Sequence, residues 1–163
     1  PLFTELKKAR QAEGKRLAAH LLSLVDEMES RLKEIISIEK PEKERGRQVL
    51  LDRIQETLRV LAGGAKDCFN TALREEAALW LEKRDFEEER VRLSMHLQHL
   101  RMLFTEENKE AASLGRKLEF LHQECQREIN TLGNKSHSSA ISNHVVEIKT
   151  LLERLREQIA NVE

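Results

Sequence analysis

The chain has few of the residues that end helices or build β-rich folds. It contains two prolines, six glycines and no tyrosine among 163 residues, and only 4% of its residues are aromatic. No segment alternates apolar and polar residues as a half-buried strand does. Charged residues make up 35% and apolar ones 39%, a balance typical of long amphipathic helices with thin cores. The composition therefore predicts an all-α fold.

Cysteine and net charge are also low. Cys68 and Cys125 form no CxxC pair, so no disulfide framework is indicated, and a reducing cytoplasm is the expected location. The formal net charge is −1, so no overall field attracts nucleic acid. Any RNA contact is expected from a local patch or from a surface built by several subunits. No run of about 18 apolar residues is present, so no membrane partner is expected.

Six segments carry apolar residues at spacings of three and four, which predicts six helices. Breaks are expected at Pro41, at Gly63 and Gly64, and at residues 107–113 and 133–136. The predicted helices cover residues 2–39, 42–62, 65–83, 86–106, 115–136 and 141–162. We therefore expect long antiparallel helices that form a bundle or coiled-coil-like domain, with a projecting N-terminal helix.

Three regions are expected along the chain. Residues 1–39 are predicted to form a long linking helix, residues 40–84 a helical hairpin or insert, and residues 85–163 a C-terminal bundle. Residues 1–14 are polar on nearly all sides, so they form either a bridge to a preceding domain or a frayed end. The last helix has an apolar stripe whose spacing alternates between four and three: Ile141, Val145, Ile148, Leu152, Leu155, Ile159 and Val162. That regularity predicts a coiled-coil seam covered by another subunit.

The predicted fifth helix carries an unusual set of polar residues. Glu124 and Glu128 lie one turn apart at the edge of its apolar stripe. Its outer side carries arginine, glutamine and asparagine where an ordinary solvated face has glutamate and lysine. The candidate phosphate contacts are Arg116, Lys117, Arg127 and Lys135. Pairing with glutamates of the same helix is an alternative of at least equal weight for each of them. Phe120 is expected to make a subunit contact or to stack on a base, and the contact is favoured.

A second polar stripe lies on the predicted fourth helix. It comprises Asp85, Glu89, Arg92, His96 and His99, which project within a narrow sector. If the fourth and fifth helices are antiparallel neighbours, this stripe faces the glutamate pair of the fifth helix. Carboxylates hold a hard divalent cation that activates water and stabilises charge on a phosphate. Imidazole ligates a metal or moves a proton. The pattern alone is weak evidence, because a charged stripe beside an apolar face is usually a salt-bridged flank.

A family resemblance strengthens this interpretation. The segment GRKLEFLHQECQREINTLGNKS (115–136), followed by AISNHVVEIKTLLERLREQIANVE (140–163), resembles the C-terminal region of the YicC/YloC family of bacterial endoribonucleases. The similarity is dense from Asp85 to the end and appears again in ARQAEGKRLAAHLLSLVDEM (9–28). Family members carry a further N-terminal domain. The resemblance therefore implies a C-terminal fragment of a divalent-metal-dependent bacterial endoribonuclease, working in the cytoplasm as a ring-shaped homo-oligomer, such as a hexamer, around RNA.

The candidate site residues form three overlapping sets, and all of them except Lys135 match the family pattern. The implied catalytic residues are His96, Glu124 and Glu128. The implied ligands of Mn²⁺ or Mg²⁺ are Asp85, Glu89, His96, Glu124 and Glu128. The expected RNA contacts are Arg92, Arg116, Lys117, Gln123, Arg127, Asn130 and Lys135; no DNA partner is expected.

A second class of function stays open at this point. The heptads of the last helix and the thin core also favour a non-catalytic helical module for oligomerisation or interaction. The residue pattern alone favours such a module, whereas the family resemblance favours the nuclease.

Overall fold

The computed structural model describes residues 2–60, 85–105, 111–136 and 138–160, together with isolated positions between 73 and 82. The described residues form four long helices: α1 (Leu2–Val60), α2 (Glu87–Thr105), α3 (Ala111–Lys135) and α4 (Ser139–Ala160). No strand occurs among them, which confirms the all-α prediction. The predicted break at Gly63 and Gly64 and most of the predicted helix at 65–83 lie outside the described residues.

The predicted helix end at Pro41 is wrong. α1 is continuous for 59 residues and carries Pro41 in its interior. An interior proline costs about 3 kcal/mol, because it lacks an N–H donor and crowds the preceding turn. Contacts that span the proline oppose this cost. Lys43 lies 3.3 Å from Glu39, one turn back across Pro41, and Glu39 also pairs with Arg90 of α2 at 3.2 Å. Tertiary packing therefore overrides the local signal.

The four helices form a ring of antiparallel neighbours. α1 packs against α2 and α4, and α3 packs against the same two helices. Lys43 of α1 meets Asp85 just before α2, whereas Arg101 near the end of α2 meets Glu29 of α1. Contacts between the other neighbouring pairs also run in opposite order along the two helices of each pair. At 59 residues α1 is more than twice as long as the 25-residue α3, so it extends beyond the bundle as expected. The middle of α1 is nevertheless one of the four packed helices of the bundle.

The core is made of the apolar stripes of all four helices. Among its fully buried side chains are Met28, Ile35, Leu93, Leu97, Leu100, Leu118, Ile129, Leu132, Ile148 and Leu152. Truncating one such leucine to alanine costs about 2–5 kcal/mol. The stripe of α4 is buried in this core from Ile141 to Leu155. Burial within the chain removes the reason for expecting a second subunit to cover that part of the stripe.

Local signals at the helix ends were partly correct. Asp85 caps α2 as predicted, because its Oδ1 accepts the Glu87 N–H at 3.0 Å. α3 begins at Ala111, inside the predicted connection at 107–113. Gly133 lies inside α3 and does not adopt a left-handed backbone conformation. The lack of a side chain is what matters at this position. A Cβ at this position would lie 3.0 Å from Cγ1 of Val145, so glycine allows α4 to approach α3 closely.

Candidate metal and RNA site between α2 and α3

Antiparallel packing brings the polar stripe of α2 against the flank of α3. Lys135 and Glu89 lie 2.7 Å apart at one end of the contact. Arg92 and Glu128 lie 3.0 Å apart in the next layer. His96 and Glu124 share the layer after that. The alignment of the two stripes is the one expected from the sequence, since it follows from burying both apolar faces in one core.

His96, Glu124 and Glu128 converge on one point between the two helices. One nitrogen or oxygen atom from each lies within 4.8 Å of the others. Glu128 is buried, with 4% of its surface exposed, and the other two are half-buried. Nδ1 of His96 is also buried and has no hydrogen-bond partner in the part of the chain that the structure describes. A buried ring nitrogen without a partner costs free energy unless a proton donor, a water or a metal ion satisfies it.

Arg92 supplies the positive charge next to this cluster. Its Nε lies 3.0 Å from Oε1 of Glu128, and its NH1 group donates to Glu88 at 3.2 Å. The hydrogen bond to Glu128 is the main reason why the pKa of Arg92 is raised above its ordinary value. Arg92 therefore holds the Glu128 carboxylate in place and compensates its charge. The expected phosphate contact of Arg92 is, in this structure, a carboxylate contact.

Asp85 and Glu89 lie outside the converging group. Asp85 caps α2 and accepts a hydrogen bond from Lys43 at 2.9 Å, and that bond lowers its pKa. Burial alone raises the pKa of Glu89, but the hydrogen bond from Lys135 outweighs burial, so the net shift is downward. The second oxygen of Glu89 is buried and without a partner among the described residues. The structure thus divides the five predicted ligands into a convergent three and two separately paired carboxylates.

The remaining predicted RNA contacts lie on the outer side of α3. Arg116, Lys117, Gln123 and Arg127 are exposed, whereas Asn130 is half-buried. Lys135 is half-buried and engaged with Glu89. The exposed cations of α3 are therefore accessible to a ligand that approaches from solvent.

A cleft that the sequence did not reveal adjoins the cluster. Its volume is about 380 Å³, and it lies between α2 and α3. The lining residues are His99, Met102, Leu103, Arg116, Lys117, Phe120 and Leu121. The exposed methionine is one of three apolar residues on the solvent side of α2, with Val91 and Met95. The spacing of four and seven residues between them could have indicated this cleft, because it places apolar residues outside the core stripe of α2.

A second and larger cavity, of about 750 Å³, lies where α1 passes the start of α2 and the turn between α3 and α4. Lys43, Asp85 and Lys135 line it. The hydrogen bond from Lys43 to Asp85 could not be predicted from the sequence, because the two residues are 42 positions apart. No helix among the described residues is long and apolar enough to cross a membrane.

Comparison with known proteins agrees with the family resemblance. Residues 35–163 match the model of a family described as "Endoribonuclease YicC-like, C-terminal". A protein of Clostridioides difficile named "Probable endoribonuclease YicC" is 35% identical over 159 residues, which cover 98% of this chain and 52% of the relative. A protein of Haemophilus influenzae with the same name is 40% identical over 91 residues, covering 56% of this chain and 30% of the relative. The chain thus spans about half the length of the first relative.

Proposed function

The chain belongs to the YicC-like endoribonuclease family, whose C-terminal model it matches, and we propose that it carries the catalytic helices of a divalent-metal-dependent endoribonuclease. The observation that carries the proposal is the convergence of His96, Glu124 and Glu128, in which the buried Nδ1 of His96 has no hydrogen-bond partner among the described residues. The names of the relatives support RNA as the substrate. The site would lie in the groove between α2 and α3.

The geometry of the three side chains fits a divalent cation. Opposite ligands of a Mg²⁺ ion lie about 4.2 Å apart, twice a bond length of about 2.1 Å. The donor atoms of His96, Glu124 and Glu128 already lie within 4.8 Å of one another, so small side-chain rotations suffice. Two carboxylates suit Mg²⁺ or Mn²⁺, and the imidazole favours Mn²⁺ as the first ion to test. When bound, such an ion activates water and stabilises charge on a phosphate.

The protein groups around the cluster have distinct proposed roles. Glu124 has no ion pair among the described residues, so the carboxylate oxygen that would not bind the ion can accept a proton from the attacking oxygen. Arg92 fixes the orientation of Glu128 through their 3.0 Å contact. Lys117 and Arg127 are exposed on the solvent side of the groove, where they would hold phosphates of the RNA strand. Each of these roles is local and does not depend on the net charge of the chain.

A ring-shaped homo-oligomer around RNA remains part of this proposal. Large apolar side chains that the bundle leaves exposed support it, in particular Val91 and Met95, which lie one turn apart on α2. The same residues are the observation that favours the second candidate, a non-catalytic assembly module. Light scattering combined with an RNA cleavage assay separates the two, because an assembly module forms oligomers without cleaving RNA.

The experiment that tests the proposed activity is RNA cleavage with controlled metal content. Hairpin and unpaired RNAs are incubated with the 163-residue chain and with the complete product of its gene, each in Mn²⁺, Mg²⁺ or EDTA. The Clostridioides difficile relative serves as a comparison. We expect endonucleolytic fragments with a divalent ion and none with EDTA. Equal cleavage in EDTA would refute the metal dependence, and no cleavage by the complete product under any condition would refute the activity.

A metal titration of the chain tests the site without requiring activity. Free Mn²⁺ gives a sharp paramagnetic resonance signal that disappears on binding. We expect the unchanged chain to bind Mn²⁺, and the variants His96→Ala and Glu124→Gln to bind it more weakly, by on the order of tenfold to a hundredfold. Glu119→Gln is the matched control, because Glu119 is an exposed carboxylate of the same helix. Unchanged binding in both site variants would place the metal elsewhere.

A further inference from the structure

The cleft of 380 Å³ beside the cluster combines features that suit one unpaired nucleotide. Its floor is apolar, with Leu121 buried and Leu103 half-buried, whereas Phe120 and Met102 stand exposed at its rim. Phe120 as a whole residue is 59% exposed. The burial of α3's apolar stripe does not require an exposed phenylalanine on the opposite side, so packing of the bundle does not explain this side chain.

The position of the cleft relates it to the proposed cleavage site. Phe120 lies one helical turn before Glu124 on α3, about 6 Å along the axis. His99 lies one turn after His96 on α2, on the same side of the groove. The cleft and the His96–Glu124–Glu128 cluster are therefore consecutive along one groove, within the reach of neighbouring nucleotides of a single strand.

The charges at the rim identify the class of occupant. Lys117 and Arg116 line the cleft together with Phe120, and the described residues that line it include no carboxylate. A cationic rim over an aromatic face is the arrangement by which proteins bind single-stranded nucleic acid: the base stacks and the cations hold the backbone. The alternative occupant is a second copy of this chain. Its net charge is only −1, so contact with it does not explain two cations at the rim.

We propose that this cleft binds the base of an unpaired nucleotide next to the scissile phosphate, stacked on Phe120 with Lys117 and Arg116 on the adjoining phosphate. The proposal rests on the proposed endoribonuclease function and adds the substrate class, which is RNA with an unpaired base beside the cut. A base within a duplex is already stacked and paired, so it enters such a cleft only after the cost of unpairing is met.

Binding and not cleavage is the test, so that it stays separate from the test of the activity. A short, fluorescently labelled 2′-O-methyl RNA without secondary structure is titrated with the complete gene product, with and without Mn²⁺, and its integrity is checked on a gel. Phe120→Ala is expected to weaken binding by roughly 5- to 150-fold, the loss of one stacked base. Phe120→Trp is expected to retain binding, with tryptophan emission quenched by the base. Val146→Ala, which changes an equally exposed apolar residue of α4, is expected to bind normally.

Two further measurements exclude the alternatives. A blunt duplex of the same sequence should bind the unchanged protein and Phe120→Ala equally, because no base is available to stack. Light scattering should give the same mass for the unchanged protein and for Phe120→Ala. Normal binding of unpaired RNA by Phe120→Ala, or no binding of it by the unchanged protein, would overturn the assignment of the cleft. A smaller oligomer with unchanged RNA affinity would show that Phe120 serves a subunit contact. If the metal-site variants lose cleavage but Phe120→Ala binds unpaired RNA normally, the proposed activity stands and the proposed base-binding cleft does not.

Discussion

Nε of Arg92 on α2 lies 3.0 Å from Oε1 of Glu128 on α3. The glutamate is buried and the arginine side chain is 45% exposed. The pair links the two helices at the layer where His96 and Glu124 also converge. It has two consequences, since the arginine compensates a buried carboxylate and also competes with any other cation for it.

Removing the arginine should separate these two effects. Arg92→Ala is expected to destabilise the metal-free protein, because the buried carboxylate of Glu128 loses a charge-assisted hydrogen bond. Mn²⁺ should then stabilise the variant more than it stabilises the unchanged protein. Urea unfolding with and without Mn²⁺ measures both effects. In the double variant Arg92→Ala/Glu128→Gln much of the loss should be recovered; equal losses with and without Glu128 would show that the pair contributes nothing.

The close approach of α3 and α4 at Gly133 gives a second prediction. Gly133→Ala should be destabilising, by about 1–3 kcal/mol, because the new Cβ would lie 3.0 Å from Cγ1 of Val145. Gly14→Ala is the control, since no heavy atom lies within 4 Å of a Cβ at that helical position. It should stabilise α1 by up to about 1 kcal/mol. Chemical denaturation compares the two variants. Equal stabilisation by both would mean that the helices do not meet at Gly133.

The paired carboxylates of α2 predict a loss of stability in acid. The pKa of Asp85 is lowered by its hydrogen bond from Lys43. That of Glu89 is raised by burial but lowered overall by Lys135. A depressed pKa in the folded state gives stability that is complete above the ordinary values of 3.8 and 4.5 and disappears as the pH falls through the folded values. Unfolding free energies measured from pH 6 downward should fall steeply below about pH 4.5.

Amide variants identify the source of that acid dependence. Asp85→Asn keeps an N-cap side chain but removes the titrating group. Glu89→Gln removes the partner of Lys135. Both variants should be less stable at neutral pH and should show a shallower loss in acid. An unchanged slope in both would assign the acid sensitivity to other groups.

Much of the fold follows from local pattern, and particular residues show where that reasoning stops. The spacing of Leu93, Leu97 and Leu100 was sufficient to predict the buried face of α2. The side-by-side placement of the His96 and Glu124 flanks followed from burying two stripes in one core. The effect of Pro41 could not be predicted correctly, since two of the contacts that flank it in the continuous α1 come from elements distant in sequence.

The site also depends on details that no pattern carries. Arg92 pairs with Glu88 and Glu89 of its own helix, as the spacing in sequence allows, and only packing adds Glu128 of α3 as a partner. The sequence likewise could not separate Glu128 from Glu89 and Asp85 as ligands, because their roles depend on Lys135 and Lys43. The cleft beside Phe120 is lined by residues of both α2 and α3, so it could not be seen in the pattern of either helix alone. Residue type thus suggested the chemistry, and tertiary contacts decided which residue has which partner.

The most direct test of the account is the rate of Mn²⁺-dependent RNA cleavage by site variants of the complete gene product. His96→Ala, Glu124→Gln and Glu128→Gln are compared with Glu119→Gln, each checked for unchanged assembly and thermal melting. We expect a loss on the order of 100-fold or more in each site variant and a normal rate in the control. Near-normal cleavage by all three site variants would contradict it, and the cluster would then be a structural flank between α2 and α3.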